Sequence, residues 1–527
     1  MSELFELSRF ARAETHERPV VLPFTIGELK ENHSRFAQAP KNGHAPTTPL
    51  PLIKRLCEAL NAQQVSYCHW KSNWKLNRWL TGEGDLDLLI QRADKQRFIA
   101  IISGLGFKQA EPSADRQAPG ILNFYGFDAN ANKLVHLHVH YKLVIGNDLS
   151  KNYHLPAENV VLENSRLQGL MPVPLREVEL ILFVLRMVLK YSVESVLQKK
   201  SSALVDELEF LESSVDRARL ANLLPELVPQ IDPAFFDQCL SSLRQPNTFF
   251  HRLQVRKQLE KRLVAAARMG RRADVLLKVR RRAGRVVRER MFRQKARKRF
   301  VTGGMLVAVV GGDGSGKTTA LRGLNGWLGK KFVTQRFHLG KPRRSPFSLG
   351  LIVLLRIYRL ITKRPVHPAW EEARTNGPSF PGYIQLLRWV SAGRDRRRLY
   401  MQARRFALKG GVALCDRYPV PQLQLMDGPN IARTIPPQQR NQFIKFLMKL
   451  ENSYYRQIMP PDLLLVLRVD PEVAVQRKTT EIEQHVRTRS AELWKQNWTG
   501  TNAYVIDAGQ PAASVMTEVQ SIIWSKL

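Results

Sequence analysis

Residues 305–320 read MLVAVVGGDGSGKTTA, and the rest of the chain is read outward from this stretch. An apolar run, 305–310, passes at once into Gly311, Gly312, Asp313, Gly314, Ser315, Gly316, Lys317, Thr318 and Thr319. This is the pattern G-x-x-x-x-G-K-[ST] set between a buried strand and a helix, the context that gives it meaning. Glycines let backbone N–H groups curl around phosphate oxygens, and the following helix turns its positive N-terminus toward them. In such a loop Lys317 reaches the β- and γ-phosphates and the Thr318 hydroxyl holds Mg²⁺, so the pattern implies a bound nucleoside triphosphate.

Four further apolar runs end in polar residues, at 332–339, 411–416, 462–470 and 503–508, with helical spacing between them. Five buried strands separated by helices predict an α/β fold with a five-stranded parallel sheet, its ligands at the carboxyl ends of the strands. The run 411–416 closes on Asp416-Arg417-Tyr418-Pro419. That supplies a carboxylate for the Mg²⁺ region and an arginine able to clamp an acceptor phosphate bidentately.

With Asp470-Pro471-Glu472-Val473 opening a helix and Tyr504-Val505-Ile506-Asp507 as the last strand, residues 306–527 resemble the thymidylate kinases. The resemblance implies an ATP- and Mg²⁺-dependent P-loop kinase that passes a phosphoryl group to a small-molecule acceptor, thymidylate being the first candidate. It implies that Asp313, Arg394 and Arg417 contact the acceptor, and that Arg477, Arg487 and Arg489 belong to a lid over the transferred group. Two parts depart from that family. His338-Leu339-Gly340-Lys341-Pro342 stands where an Arg-Pro-Gly loop is expected, and 419–429 reads PVPQLQLMDGP where nucleotide-contacting residues are expected.

Ahead of this half, 52–62 has helical spacing, 65–70 reads as a short strand, and Gly84 introduces Asp85-Leu86-Asp87-Leu88-Leu89-Ile90. Alternate strand residues share a face, so Asp85 and Asp87 project together while Leu86, Leu88 and Ile90 enter a core. Two such carboxylates can hold Mg²⁺ and align a triphosphate. A small-residue turn before an Asp-x-Asp strand resembles the polymerase β-like nucleotidyltransferases over 52–145, which implies an α+β domain with a helical appendix. Lys71-Ser72 stands where that family has Gly-Ser. In place of a third acid, 134–141 reads LVHLHVHY, with His136, His138 and His140 on one face. His138 would complete a metal site with Asp85 and Asp87; equally, the acids form a solvated edge and the histidines pack the sheet.

The expected organisation is a disordered tail at 1–48, the nucleotidyltransferase-like part at 49–170, a helical appendix at 171–250, a basic helical linker at 251–300 and the kinase-like part at 301–527. In the appendix, helices are expected at 203–212 and 218–224, the second stopped by Pro225, and the acidic stretch 207–216 reads as a solvated face. Net charge is +36 over 527 residues, and 251–300 alone holds 20 Lys or Arg against three acids. Such a block favours polyanions, so a linker role, an anionic membrane surface and nucleic acid are all open for it. Four dispersed cysteines fit a reducing compartment, and the longest mainly apolar uncharged run, 345–355, is short of a membrane span. These features predict a cytoplasmic protein, peripheral to the membrane if the basic block binds lipid.

Overall fold

Alternation at Asp85–Ile90 builds the first sheet. Leu86, Leu88 and Ile90 bury against helices Pro51–Ala62 and Lys95–Gly104. The computed structural model describes residues 48–190, 202–244, 249–291, 296–362, 380–423, 428–478, 482–499 and 501–527; the tail expected at the N-terminus lies outside them through residue 47. Strands β1 (Tyr67–His69), β2 (Asp85–Ile90), β3 (Lys108–Glu111), β4 (Ile121–Asp128) and β5 (Lys133–His140) are ordered β1-β2-β5-β4-β3. Only β2 and β5 run parallel in this set, and their register sets Asp85 opposite His136 and Asp87 opposite His138. Acids and imidazoles therefore meet on the face opposite Leu86, Leu88 and Ile90.

Two small hairpins follow, β6 (Leu143–Ile145) with β7 (Tyr153–Leu155), and β8 (Ser165–Gln168) with β9 (Met171–Pro174). Helices Arg176–Lys190, Ser202–Glu212, Arg217–Leu227, Pro233–Arg244 and Phe249–Arg262 then pack around a shared core. The expected stop at Pro225 does not occur: the helix runs to Leu227 with the proline inside it. A proline so near the end forfeits one hydrogen bond, while Leu223, Leu224 and Leu227 all bury. Nor is the acidic stretch wholly solvated, since Glu207 turns inward to the side chains of Ser72 and Trp74.

The basic block is not one helix. Phe249–Arg262 ends in a turn at Leu263–Ala266, and Gly270 starts a second helix, Arg271–Val286. Asn152 enforces the break, its carbonyl accepting from Arg268 N (2.7 Å) and its side-chain oxygen from Met269 N (3.0 Å). The block then ends in a strand, β10 (Arg299–Phe300), which pairs antiparallel with β3 as the sixth strand of the first sheet.

Strands β11 (Met305–Gly311), β12 (Thr334–His338), β13 (Val412–Asp416), β14 (Leu463–Arg468) and β15 (Ala503–Asp507) form the second sheet, wholly parallel, in the order β12-β13-β11-β14-β15. Every residue of β11 is buried, as a central parallel strand requires. Helices Lys317–Leu328, Tyr383–Leu408, Gln442–Arg456 and Ala512–Lys526 connect and cover it. The two sheets share a core, in which Tyr125 and Phe300 meet Phe332 and Trp524.

Candidate functional site

At the carboxyl end of β11 the chain turns through Gly311–Gly316 into helix Lys317–Leu328. Gly314 sits at φ +78°, where a Cβ would stand 2.7 Å from the carbonyl oxygen of Ala474, so no other residue fits the turn. The Ser315 hydroxyl is buried with no protein partner, and Lys317 Nζ folds back on Gly312 O at 2.5 Å. Thr318 and Thr319 are exposed at the helix start. A glycine turn, an unsatisfied hydroxyl and an ammonium thus stand together at a helix start, the donor groups that phosphate oxygens satisfy.

Neighbouring strands bring the rest. In register, Val309 of β11 lies beside Asp416 of β13, so this carboxylate is one strand from the loop. Arg417 follows with φ +54°, a left-handed conformation that costs a non-glycine residue about 1–2 kcal/mol. Asp313 is buried and accepts from Arg489 Nη1 at 2.8 Å. Burial raises its carboxyl, but Arg489, Lys317 and Arg417 outweigh that and hold it below the usual range. These four groups form one electrostatic cluster over the loop. For Mg²⁺, the exposed Thr318 hydroxyl and the half-buried Asp416 carboxylate are hard oxygen donors of the required type, and they fit.

The other expected arginines separate. Arg477 donates to Ala508 O (2.7 Å) and Gly509 O (3.3 Å), tied to the loop after β15 rather than to a phosphate site. Arg487 forms an exposed bidentate pair with Glu472. Arg394 is half-buried on helix Tyr383–Leu408; two residues on, Arg396 is buried and donates from Nε to Leu339 O at 2.8 Å. Arg396 was not legible as a site candidate, because nothing in sequence says which arginine of SAGRDRRR turns inward. A cavity of about 720 Å³ is lined by Tyr418, Val420, Gln422, Tyr455 and, at the amino ends of β14 and β15, Pro461 and Asn502, among others; none of the loop residues lines it.

On the first sheet, three cations and imidazoles converge on a single oxygen, Asp87 Oδ1: Lys71 Nζ at 2.7 Å, His138 Nδ1 at 2.8 Å and His140 Nε2 at 3.4 Å. Asp85 is half exposed and instead faces His136 Nδ1 at 2.7 Å, with the ring turned off the line of a good hydrogen bond. Lys298, from the segment before β10, reaches Tyr125 OH (2.5 Å) and His136 Nε2 (3.3 Å) from the other side. Burial pulls the Lys71 and Lys298 ammonium groups down to about 8, and pushes His136 to about 4 and His140 well below its ordinary value. Burial would raise Asp87, but Lys71, His138 and His140 hold it well below the carboxylate range.

The donor atoms close enough to share an ion are those of Asp87, His138 and His140, without Asp85. One carboxylate and two imidazoles are not the oxygen set that Mg²⁺ takes, and the Lys71 ammonium already neutralises the carboxylate. This cluster does not fit magnesium. Lys71 comes into it from the turn after β1 and Lys298 from the linker, which is why sequence spacing alone leaves them out, whereas His140 shares the strand face of His136 and His138.

Loop and parallel sheet together define an α/β phosphate-binding-loop fold. No family model matches the chain. It is 25% identical over 230 residues to the uncharacterized ATP-binding protein YghR of Escherichia coli (strain K12), covering 41% of this chain and 86% of YghR. It is 26% identical over 219 residues to the uncharacterized ATP-binding protein YghS of the same strain, covering 40% and 89% respectively. Among solved structures, a deoxyadenosine kinase from M. mycoides with bound dATP aligns at 14% identity over 42% of this chain and 98% of that one, with a TM-score of 0.26. All four cysteines are buried and free, and no helix of the described residues is long and apolar enough to cross a membrane.

Proposed function

We propose that the phosphate-loop half transfers the γ-phosphoryl group of ATP to a phosphorylated small-molecule acceptor, thymidylate being the first to test. The observation that carries this reading is the loop itself. Its buried, unpartnered Ser315 hydroxyl and its glycine cradle stand next to a strained Arg417 one strand away. Strain of this kind persists where the surroundings hold a residue to a task. The ATP-binding relatives YghR and YghS support the choice of donor.

In this mechanism Lys317 leaves Gly312 O for the β- and γ-phosphate oxygens, and the loop amides fix their orientation. Thr318 and Asp416 would hold Mg²⁺, which neutralises charge on those oxygens. Arg417, one strand from the loop, grips the acceptor's phosphate. An acceptor oxygen attacks the γ-phosphorus as the bond to the β–γ bridging oxygen breaks, leaving ADP. Arg489, released from Asp313, adds positive charge where the transition state spreads negative charge. Lys317→Ala should lower transfer by roughly 10²–10³-fold in a labelled-ATP assay over a panel of thymidylate, other nucleotides and phosphorylated sugars. Full transfer by that variant would exclude the reading.

A second reading, a nucleotide-dependent scaffold, draws support from the first sheet, where Asp87 is already neutralised by Lys71. It predicts ATP binding with no transfer to any acceptor in the same panel.

A further inference from the structure

Among the described residues, helix Pro346–Thr362 is held to the body of the protein along one edge. Its first turn is pinned by Asp395, whose carboxylate accepts from Ser345 N (3.0 Å) and Ser348 Oγ (2.5 Å), and Leu351 and Leu355 bury beneath it. Those inward positions, 348, 351 and 355, fall on one helical stripe. The outward face carries Leu349, Val353, Ile357, Leu360 and Ile361, with Phe347 and Leu354 on its flank, all exposed, Leu360 at 79% and Ile361 at 76%. A soluble surface rarely leaves so many large apolar side chains together.

Charge decides what covers this face. Lys341, Arg343, Arg344 and Arg356 are exposed around it, and no acidic residue occurs between 340 and 362. A second copy of the same helix would bring like charges together. Nucleic acid binding would not use the aliphatic ridge of Val353, Leu354, Ile357, Leu360 and Ile361, which offers no ring for a base to stack on. An anionic bilayer meets both properties: the apolar ridge enters the acyl boundary while the cations stay at the headgroups. Seventeen residues make a rod of about 25 Å, and one edge is committed to protein, so the helix lies in the membrane plane.

We infer that helix Pro346–Thr362 docks the protein on anionic lipid membranes through its outward apolar face and the flanking cations at 341–344 and 356. This is independent of the phosphoryl-transfer reading, and separate from any contact made by the basic helix Arg271–Val286.

The test is flotation of the full chain with vesicles of phosphatidylcholine alone or with about one third phosphatidylglycerol. The parent should float with the anionic vesicles only, less so at high salt. Ile357→Glu with Leu360→Glu should reduce the bound fraction at least roughly tenfold, and Arg343→Glu with Arg344→Glu by a similar factor, at roughly fivefold per cation. Leu276→Glu, on Arg271–Val286, should leave binding intact. Because 357 and 360 point outward, circular dichroism and Tm should match the parent. In a Leu354→Trp variant, emission should shift to the blue on addition of anionic vesicles. The inference is overturned if the double glutamate variant floats like the parent, if Leu276→Glu alone abolishes binding, or if the parent is a dimer that the glutamates dissociate.

Discussion

Both charged sites of this chain are built at parallel strands, and they stand in opposite electrostatic states. Around Gly311–Lys317 donors outnumber acceptors: the Ser315 hydroxyl has no partner, and three cations crowd the single carboxylate of Asp313. Around Asp87 the account is closed internally by Lys71, His138 and His140 on one oxygen. The first arrangement is of a kind that suits a polyanion; the second already holds its counter-charge in Lys71. A pair of acids on a strand therefore says little about metal until the residues facing it are known, whereas a phosphate loop carries its donors in its own backbone.

Four experiments would break or sharpen this contrast. The largest effect is expected for Asp87→Ala, which strands the buried Lys71 ammonium and should cost about 3–5 kcal/mol in urea unfolding. Lys71→Met with Asp87→Leu should recover most of it; if Asp87→Ala is harmless, the site is not self-neutralised. Next comes acid sensitivity. His136 is held near 4 by burial, against 6.5 when unfolded, so between those values only the unfolded chain takes up the proton. Stability should thus fall as pH drops from 6.5 to 4, by about 3 kcal/mol from this residue, with His140 and His69 acting in the same direction. His136→Gln should flatten that part of the curve; an unchanged slope would mean the ring is not buried neutral.

Arg417→Gly separates strain from task. Relief of φ +54° should raise stability by about 1 kcal/mol while transfer drops roughly 10²-fold. Retained transfer would remove Arg417 from the site. The smallest effect is expected for Arg487→Ala, whose exposed pair with Glu472 should matter to neither Tm nor transfer. A large loss of transfer there would restore this arginine to a closing segment.

The second sheet was legible because central parallel strands are apolar throughout: β11, β13 and β14 read as unbroken runs, and only their ends moved by a residue or two. The Asp-x-Asp strand was legible through its alternation. What escaped depended on contacts distant in sequence. The break at 263–270 is set by Asn152, more than a hundred residues away, and Arg477 is claimed by carbonyls after β15. Helical period places the apolar ridge of Pro346–Thr362 on a face, but cannot say that the face is left uncovered.

Strand β10 has a consequence for any attempt to treat the two halves as exchangeable parts. Within four residues, Lys298 O accepts from Val333 N, Phe300 N donates to Gly410 O, and Val301 N donates to Gln109 O. This short thread is hemmed into both sheets at once, and Trp524 near the C-terminus ties back to Gly106 O at 3.1 Å. A cut at residue 301 would bare Phe300 on one fragment and Phe332 and Trp524 on the other. Separately expressed halves should therefore aggregate alone and reassemble when produced together, and recombination at this seam would inherit a torn core rather than a clean joint.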